Sequence, residues 1–255
     1  MIKQIALGLK TYTTSFGLLS KLGLWKYFGI PILISVVVGL AIGFSAYGFA
    51  DNIGHWVAKL WPWEWGAKAF FIVAEILSAI LILTIGFIIY KHTVMALSAP
   101  FMSPVSEKIE AHLLDETDHA HRKTTFTGQL WRGIYINVRN LIKELLLTIP
   151  ILLLGFIPII GSTLSTILLF IMQSYYAGFG NMDYTLERHF NYKESVVFVQ
   201  RNRGYAIGNG MVFMALLIIP ILGFIIVLPL TVTAASQQTV EIIRQESNQN
   251  SALVE

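Results

Sequence analysis

Four consecutive residues, Gly23-Leu24-Trp25-Lys26, stand directly before the first long apolar stretch of the chain, and their types suit the binding of an anion. Glycine frees the backbone to turn. The helix that comes next offers unpaired N–H groups and the positive end of its dipole. Such an end attracts negative charge, and Lys26 adds a full positive charge. Trp25 can shield the place from water or anchor it at the headgroups. A lysine at the end of a span also serves simply to reach the headgroups, so spacing alone leaves both roles open. A second pointer is a pair of near-identical pentads, Ile157-Pro158-Ile159-Ile160-Gly161 and Ile219-Pro220-Ile221-Leu222-Gly223, which differ at one position. Proline removes a helical hydrogen bond and glycine permits a tight turn. Interrupted apolar segments in corresponding places mark binding sites in transporters. Ser162 and Thr163 follow Gly161 and could cap the next helix, aiming its N–H groups at a passing anion. Plain turns without a ligand explain the same pattern.

Other chemistry is thinly supported. Glu75 is the one charge inside an apolar stretch, sharing a helical face with Ala79, Ile82 and Gly86, and an ionisable group there is a functional candidate. His112, His119 and His121 stand near Asp115, Glu116 and Asp118, but loose histidines among solvated acids make a poor metal site. No Ser/His/Asp spacing, HExxH motif or nucleotide-binding glycine loop is present, so the sequence calls for no catalytic residue, cofactor or metal. With no cysteine, disulfides and thiolate sites are excluded. The net charge of +3 gives no reason to expect nucleic acid as a partner.

The elements that must position these residues are apolar helices. Of 255 residues, 55% are apolar and 13% charged, with a mean hydropathy of +0.65, against about 25% charged in a soluble domain. The expected fold is an all-α integral membrane protein forming one membrane domain. Residues 1–26 read as an interfacial amphipathic helix, with Ile2, Ile5, Leu9, Tyr12, Phe16 and Leu19 on one face; an ordinary packed helix is equally compatible. No signal-peptide pattern is seen, so this segment is expected to remain on the mature protein. Residues 27–50 and 69–90 are long enough to span a hydrocarbon core, which needs about 20 residues. The small residues Ser35, Gly39 and Gly43 on the first span permit close packing. Between the spans, residues 51–68 carry Trp56, Trp61, Trp63 and Trp65, a headgroup-level signature. Residues 91–144 form a connector: a helix is expected over 105–114 after Pro100 and Pro104, a loop over 115–127 and a basic helix over 126–144.

Residues 145–182 and 205–240 are uncharged, each too long for one span and too short for two with a turn. Two arrangements satisfy them: helical hairpins that penetrate partly, or pairs of short tilted spans. Residues 183–204 connect the two, and 241–255 form a tail. Placing both termini in the cytoplasm puts 16 of the 18 basic residues on that side.

Several short elements in order resemble the CysZ family of bacterial sulfate permeases over nearly the whole chain. They are Gly23-Leu24-Trp25-Lys26 before Ile30-Pro31; Ala99-Pro100-Phe101 leading to Glu107-Lys108-Ile109-Glu110; Asp183-Tyr184 followed by Glu187-Arg188-His189; Arg201-Asn202-Arg203-Gly204; and Ile219-Pro220 with Leu228-Pro229. The resemblance implies sulfate uptake across the bacterial inner membrane for cysteine synthesis, two spanning helices with hairpins that do not fully cross, and a homo-oligomer. It also implies a charged network at the cytoplasmic mouth from Glu107, Glu110, Asp183, Glu187, Arg201 and Arg203. The family typically carries two adjacent arginines where this chain has Trp25 and Lys26, so one of two positive charges is missing. The expected function is a passive or ion-coupled oxyanion permease; a non-transporting membrane scaffold and a membrane-bound lipid enzyme are the rivals.

Overall fold

In a computed structural model the backbone is described except at residues 59–66, 115–123, 156, 158–159, 220–221 and 253–255. Side chains are not described for 46–84, 222, 224 and 250–255 either. The side chains of Glu75, the four clustered tryptophans, His119, His121, Pro158 and Pro220 therefore lie outside the described residues.

The described residues are helical throughout, with no strand among them. Helices α1 (Ile2–Lys10) and α2 (Tyr12–Lys21) lead to a 3-10 turn, Leu24–Tyr27, and then to α3 (Gly29–Ala58). After these come α4 (Ala67–Leu114), α5 (Phe126–Leu154), α6 (Gly161–His189), α7 (Tyr192–Arg201), α8 (Arg203–Leu217) and α9 (Leu222–Ala252). Among the described residues two stretches, Ile85–Leu114 of α4 and Ile225–Gln249 of α9, are long and apolar enough to cross a membrane, and Gly29–Ser45 of α3 is apolar as well. Large apolar side chains lie exposed along α3 (Leu33, Leu40, Phe44) and α5 (Leu146, Ile149, Leu153). Water-soluble monomers rarely show apolar surface of this extent, and lipid is the solvent that covers it.

Local signals account for several helix ends. Thr125 caps α5, its hydroxyl accepting from the Gly128 N–H at 3.2 Å. Asn191 caps α7 in a capping box with Glu194. Helix α5 stops at Leu154 and α6 starts at Gly161; α8 stops at Leu217 and α9 starts at Leu222. Both interruptions fall on the Pro/Gly pentads. Two features depart from sequence expectation. Helix α4 does not break after Tyr90 but runs on through Pro100 and Pro104 to Leu114. Residues 1–26 are not one helix but α1, α2 and the 3-10 turn, with α1 packed on α8 and α2 on α9. Gly8 is buried against the Tyr205 carbonyl and Gly208, whereas Ile2 and Phe16 from the expected apolar face remain exposed.

The core is built around α6, which α4, α5, α8 and α9 all touch. A Cβ on Gly178 would overlap the Ala206 carbonyl, and one on Gly210 would overlap the Ser174 carbonyl. These glycines let α6 and α8 meet backbone to backbone. Gly210→Ala is expected to lower stability by about 2–3 kcal/mol, since neither backbone can give way. Gly17→Ala, where a Cβ meets nothing within 4 Å, is expected to be neutral or to stabilise by up to about 1 kcal/mol through helix propensity. Thermal unfolding of the detergent-solubilised variants reads both.

Candidate functional site

The turn between α2 and α3 assembles the first group of residues. Gly23 has φ 59°, the left-handed conformation that glycine tolerates best. Its N–H is bonded to the Ser20 carbonyl at 3.1 Å, so glycine there shapes the turn and its donor is already used. Leu24 is fully buried. Trp25 is 40% exposed, edge-on to Phe16 at 6.0 Å, and donates its indole N–H to the Ser20 hydroxyl at 3.3 Å. Lys26 is exposed, with its ammonium 5.5 Å from the Tyr27 ring centroid. Lys108, from α4, brings its own ammonium within 5.4 Å of the same ring. Lys21 lies 3.5 Å from His112 Nε2. The mouth of the first span thus gathers Lys21, Lys26 and Lys108 without a carboxylate bonded to any of them among the described residues.

The second group lies where the lower halves of α4, α5 and α6 meet. Asp183 receives a two-pronged contact from Arg132, Nη2 to Oδ1 at 2.8 Å and Nε to Oδ2 at 3.1 Å. Arg132 also donates to the Phe190 carbonyl at 2.8 Å and the Ser195 hydroxyl at 2.7 Å. Burial opposes the charge on Arg132, yet Asp183 and Glu187 more than offset it, and its pKa is raised. Arg188 grips Glu110 Oε2 through Nη2 at 2.8 Å and Nε at 3.2 Å, and His189 reaches Glu110 Oε1 at 2.6 Å. Paired bonds of this kind are the strong form of ion contact. Glu187 is 3% exposed and its Oε1 meets no partner. Burial and the Asp183 charge push its pKa up to about 7, against the Ser103 hydrogen bond and the Arg188 and Arg132 charges.

A third group sits deeper between α4 and α5. Lys91 donates to Glu144 Oε1 at 2.7 Å and to the Gln173 carbonyl at 3.2 Å. His92 Nε2 lies 2.8 Å from Glu144 Oε2, and Nδ1 lies 3.1 Å from Asn137 Oδ1. Lys91, His92 and Glu144 are all within 2% of complete burial.

Of the residues expected to form a network, Glu110, Asp183 and Glu187 are brought together, while Glu107, Arg201 and Arg203 lie exposed outside it. Gly161 is buried and Ser162 and Thr163 are exposed at the start of α6; Gly223 is buried one residue into α9. Sequence reasoning passed over Arg132, Lys91, His92 and Glu144, and quoted Arg188 and His189 as part of a family element without giving them a place in the network. A signal existed for two of them: Lys91 is the first charge after one apolar stretch and Glu144 the last before another. Among the described residues no group of His, Asp and Glu could hold a metal ion. A cavity of about 540 Å³ opens beside the second group, lined among others by Trp131, Arg132, Tyr135, Glu187 and Tyr192.

The raised pKa of Glu187 makes stability depend on pH. A carboxyl whose folded pKa is raised loses folding stability as pH climbs from the unfolded value, near 4.5, to about 7. Above that the loss is constant. Glu187→Gln is therefore expected to stabilise the protein at pH 8, by on the order of 3 kcal/mol at most, and to confer no such gain near pH 4.5. Melting temperatures of parent and variant across that range test it.

Known proteins resemble this chain over most of its length. A relative in Vibrio cholerae serotype O1, "Sulfate transporter CysZ", is 25% identical over 221 residues, covering 84% of this chain and 85% of its own length; the match is the same in the Ogawa and El Tor Inaba strains. The family model "Sulfate transporter CysZ/Etoposide-induced protein 2.4" matches residues 12–227, which takes in the lysine-rich mouth, the charged groups on α4, α5 and α6, and both helix interruptions. The chain belongs to that family.

Proposed function

We propose that this protein is a permease for sulfate or a closely related oxyanion, carrying it across the bacterial inner membrane for assimilation into cysteine, with both termini in the cytoplasm. The observation that carries the reading is the family membership over most of the chain, joined to a mouth where Lys21, Lys26 and Lys108 converge. Lysine ammonium groups beside an apolar span attract an oxyanion and replace part of its hydration shell. Gly23 holds the turn that points Lys26 outward, and Leu24 and Trp25 wall the turn with apolar surface. The peptide donors of this turn are partly used within the chain, so the side-chain cations supply most of the attraction. No covalent step is needed. Conduction requires contacts weak enough to be exchanged, which lysine point charges meet better than a bidentate arginine clamp.

Beside the mouth, Glu110, Asp183 and Glu187, balanced by Arg132, Arg188 and His189, form a charged layer at the cytoplasmic side, with Glu107, Arg201 and Arg203 on its solvated flank. The helix interruptions at Pro158 and Gly161, and at Pro220 and Gly223, mark hairpins that enter the bilayer partway, with Ser162 and Thr163 at one tip. The exposed apolar faces are shared between lipid and further copies of the chain in a homo-oligomer.

Uptake of radiolabelled sulfate into proteoliposomes tests the proposal. The parent is expected to take up sulfate above protein-free vesicles, and Lys26→Ala to reduce uptake about tenfold, the worth of one charge-assisted contact. Equal uptake by parent and variant removes Lys26 from the site; absent uptake by the parent removes the function.

A further inference from the structure

We infer that the anion's route lies along the seam where α4, α6 and α9 meet, and that the structure holds this seam shut. The inference rests on the permease reading and names the path within it. It is carried by a set of buried hydroxyl groups that find no partner within the protein.

A serine or threonine buried in a helix ordinarily satisfies its hydroxyl on the carbonyl one turn earlier. This protein does so repeatedly. Thr148 donates to the Glu144 carbonyl at 2.8 Å, Ser174 to Phe170 at 2.7 Å, Thr231 to Val227 at 2.6 Å and Thr233 to Pro229 at 2.7 Å. Five others do not. Ser35 on α3, Ser98 on α4, Thr185 on α6, and Ser236 and Thr239 on α9 are completely buried, and their hydroxyl oxygens have no partner within the protein. Asn181, one turn before Thr185, spends its amide on Asn209 at 2.9 Å and leaves Oδ1 without a donor.

Ser35 aside, these groups stand on three helices that pack on one another pairwise. Asn181 and Thr185 share one face of α6, and Ser236 and Thr239 share one face of α9. The α6 face leads, within one turn of Thr185, to Arg188, while Glu187, whose Oε1 is also unpartnered, stands on the side of α6 that carries Asp183. Unsatisfied buried polar groups are uncommon in folded proteins and call for an explanation. Here the explanation is a second state, in which the seam parts slightly and the hydroxyls donate to water or to an oxyanion. Neutral hydroxyls suit that task, since they can replace hydration without trapping the ion. None of these oxygens has measurable exposure in the present conformation, so the seam is closed.

The chain has no cysteine, so a single introduced thiol reports its own access to water. Thr185→Cys and Ser236→Cys, reconstituted in vesicles, are exposed to an anionic methanethiosulfonate during sulfate uptake. Ala235→Cys is the dry control: it is fully buried and packs in an apolar cluster with Ile136 and Phe179. Both seam thiols are expected to react at least about tenfold faster than the control, with uptake falling as they do and excess sulfate slowing the reaction. If neither outpaces the control while sulfate still enters, the seam is not the route and the permease reading survives. If the parent takes up no sulfate in the same vesicles, both readings fall. Should the thiol variants fail to fold, Thr185→Val and Ser236→Ala replace them. Removing an unpartnered hydroxyl is expected to leave melting temperature unchanged or higher while uptake drops. Unchanged uptake with unchanged or raised melting temperature overturns the inference.

Discussion

A charge carried into an apolar interior must be met there by another charge, because desolvation costs several kcal/mol per ion and only a well-made contact offsets it. This constraint organises the lower half of the bundle. Helix α6 brings Asp183, Glu187 and Arg188 into the interior within two turns. Arg132 of α5 answers Asp183, and Glu110 of α4 answers Arg188. Deeper in, Lys91 of α4 and Glu144 of α5 meet in the same way. These pairs set which helices neighbour one another and at what height. A slide of one turn along any of the three would strand a buried charge.

The rest of the packing serves that arrangement. Gly178 and Gly210 bring α6 and α8 together without intervening side chains, which leaves the other faces of α6 free to meet α4, α5 and α9. Tyr184 lies on the α4 side of α6, its hydroxyl donating to the Met95 carbonyl at 2.8 Å while Ser106 donates to the Tyr184 carbonyl at 2.8 Å. Helix α4 is therefore tied to α6 through side-chain bonds at several levels. This lateral support helps explain why it continues through Pro100 and Pro104, each of which removes a hydrogen bond from its own helix.

Charge is arranged differently in two neighbouring groups, one holding Lys108 and the other Glu110, two residues on along α4. At the mouth of the first span the lysines have no bonded carboxylate among the described residues and present net positive charge. At the lower layer acids and bases are nearly balanced, and Glu187, with a pKa of about 7, makes the balance sensitive to neutral pH. Uncompensated lysines beside a nearly neutral layer attract an anion without holding it tightly.

Much of this was determined by the sequence alone. The excess of apolar residues demands lipid, because no globule of this length buries so much. Proline and glycine act on their own backbone, so the pentads at 157–161 and 219–223 marked where the helices stop, and the caps at Thr125 and Asn191 are equally local. Family membership was also legible, through short elements in fixed order. What only the tertiary structure decided is which charges meet. Lys91 and Glu144 are 53 residues apart, Arg132 and Asp183 are 51, and Glu110 and Arg188 are 78. Nothing in their flanking residues tells buried Glu110 from exposed Glu107, because that difference depends on which face of α4 lies against α6. The continuity of α4 and the splitting of the first 26 residues were hidden for the same reason. Each depends on what a distant helix presents, and one-dimensional spacing does not carry that information.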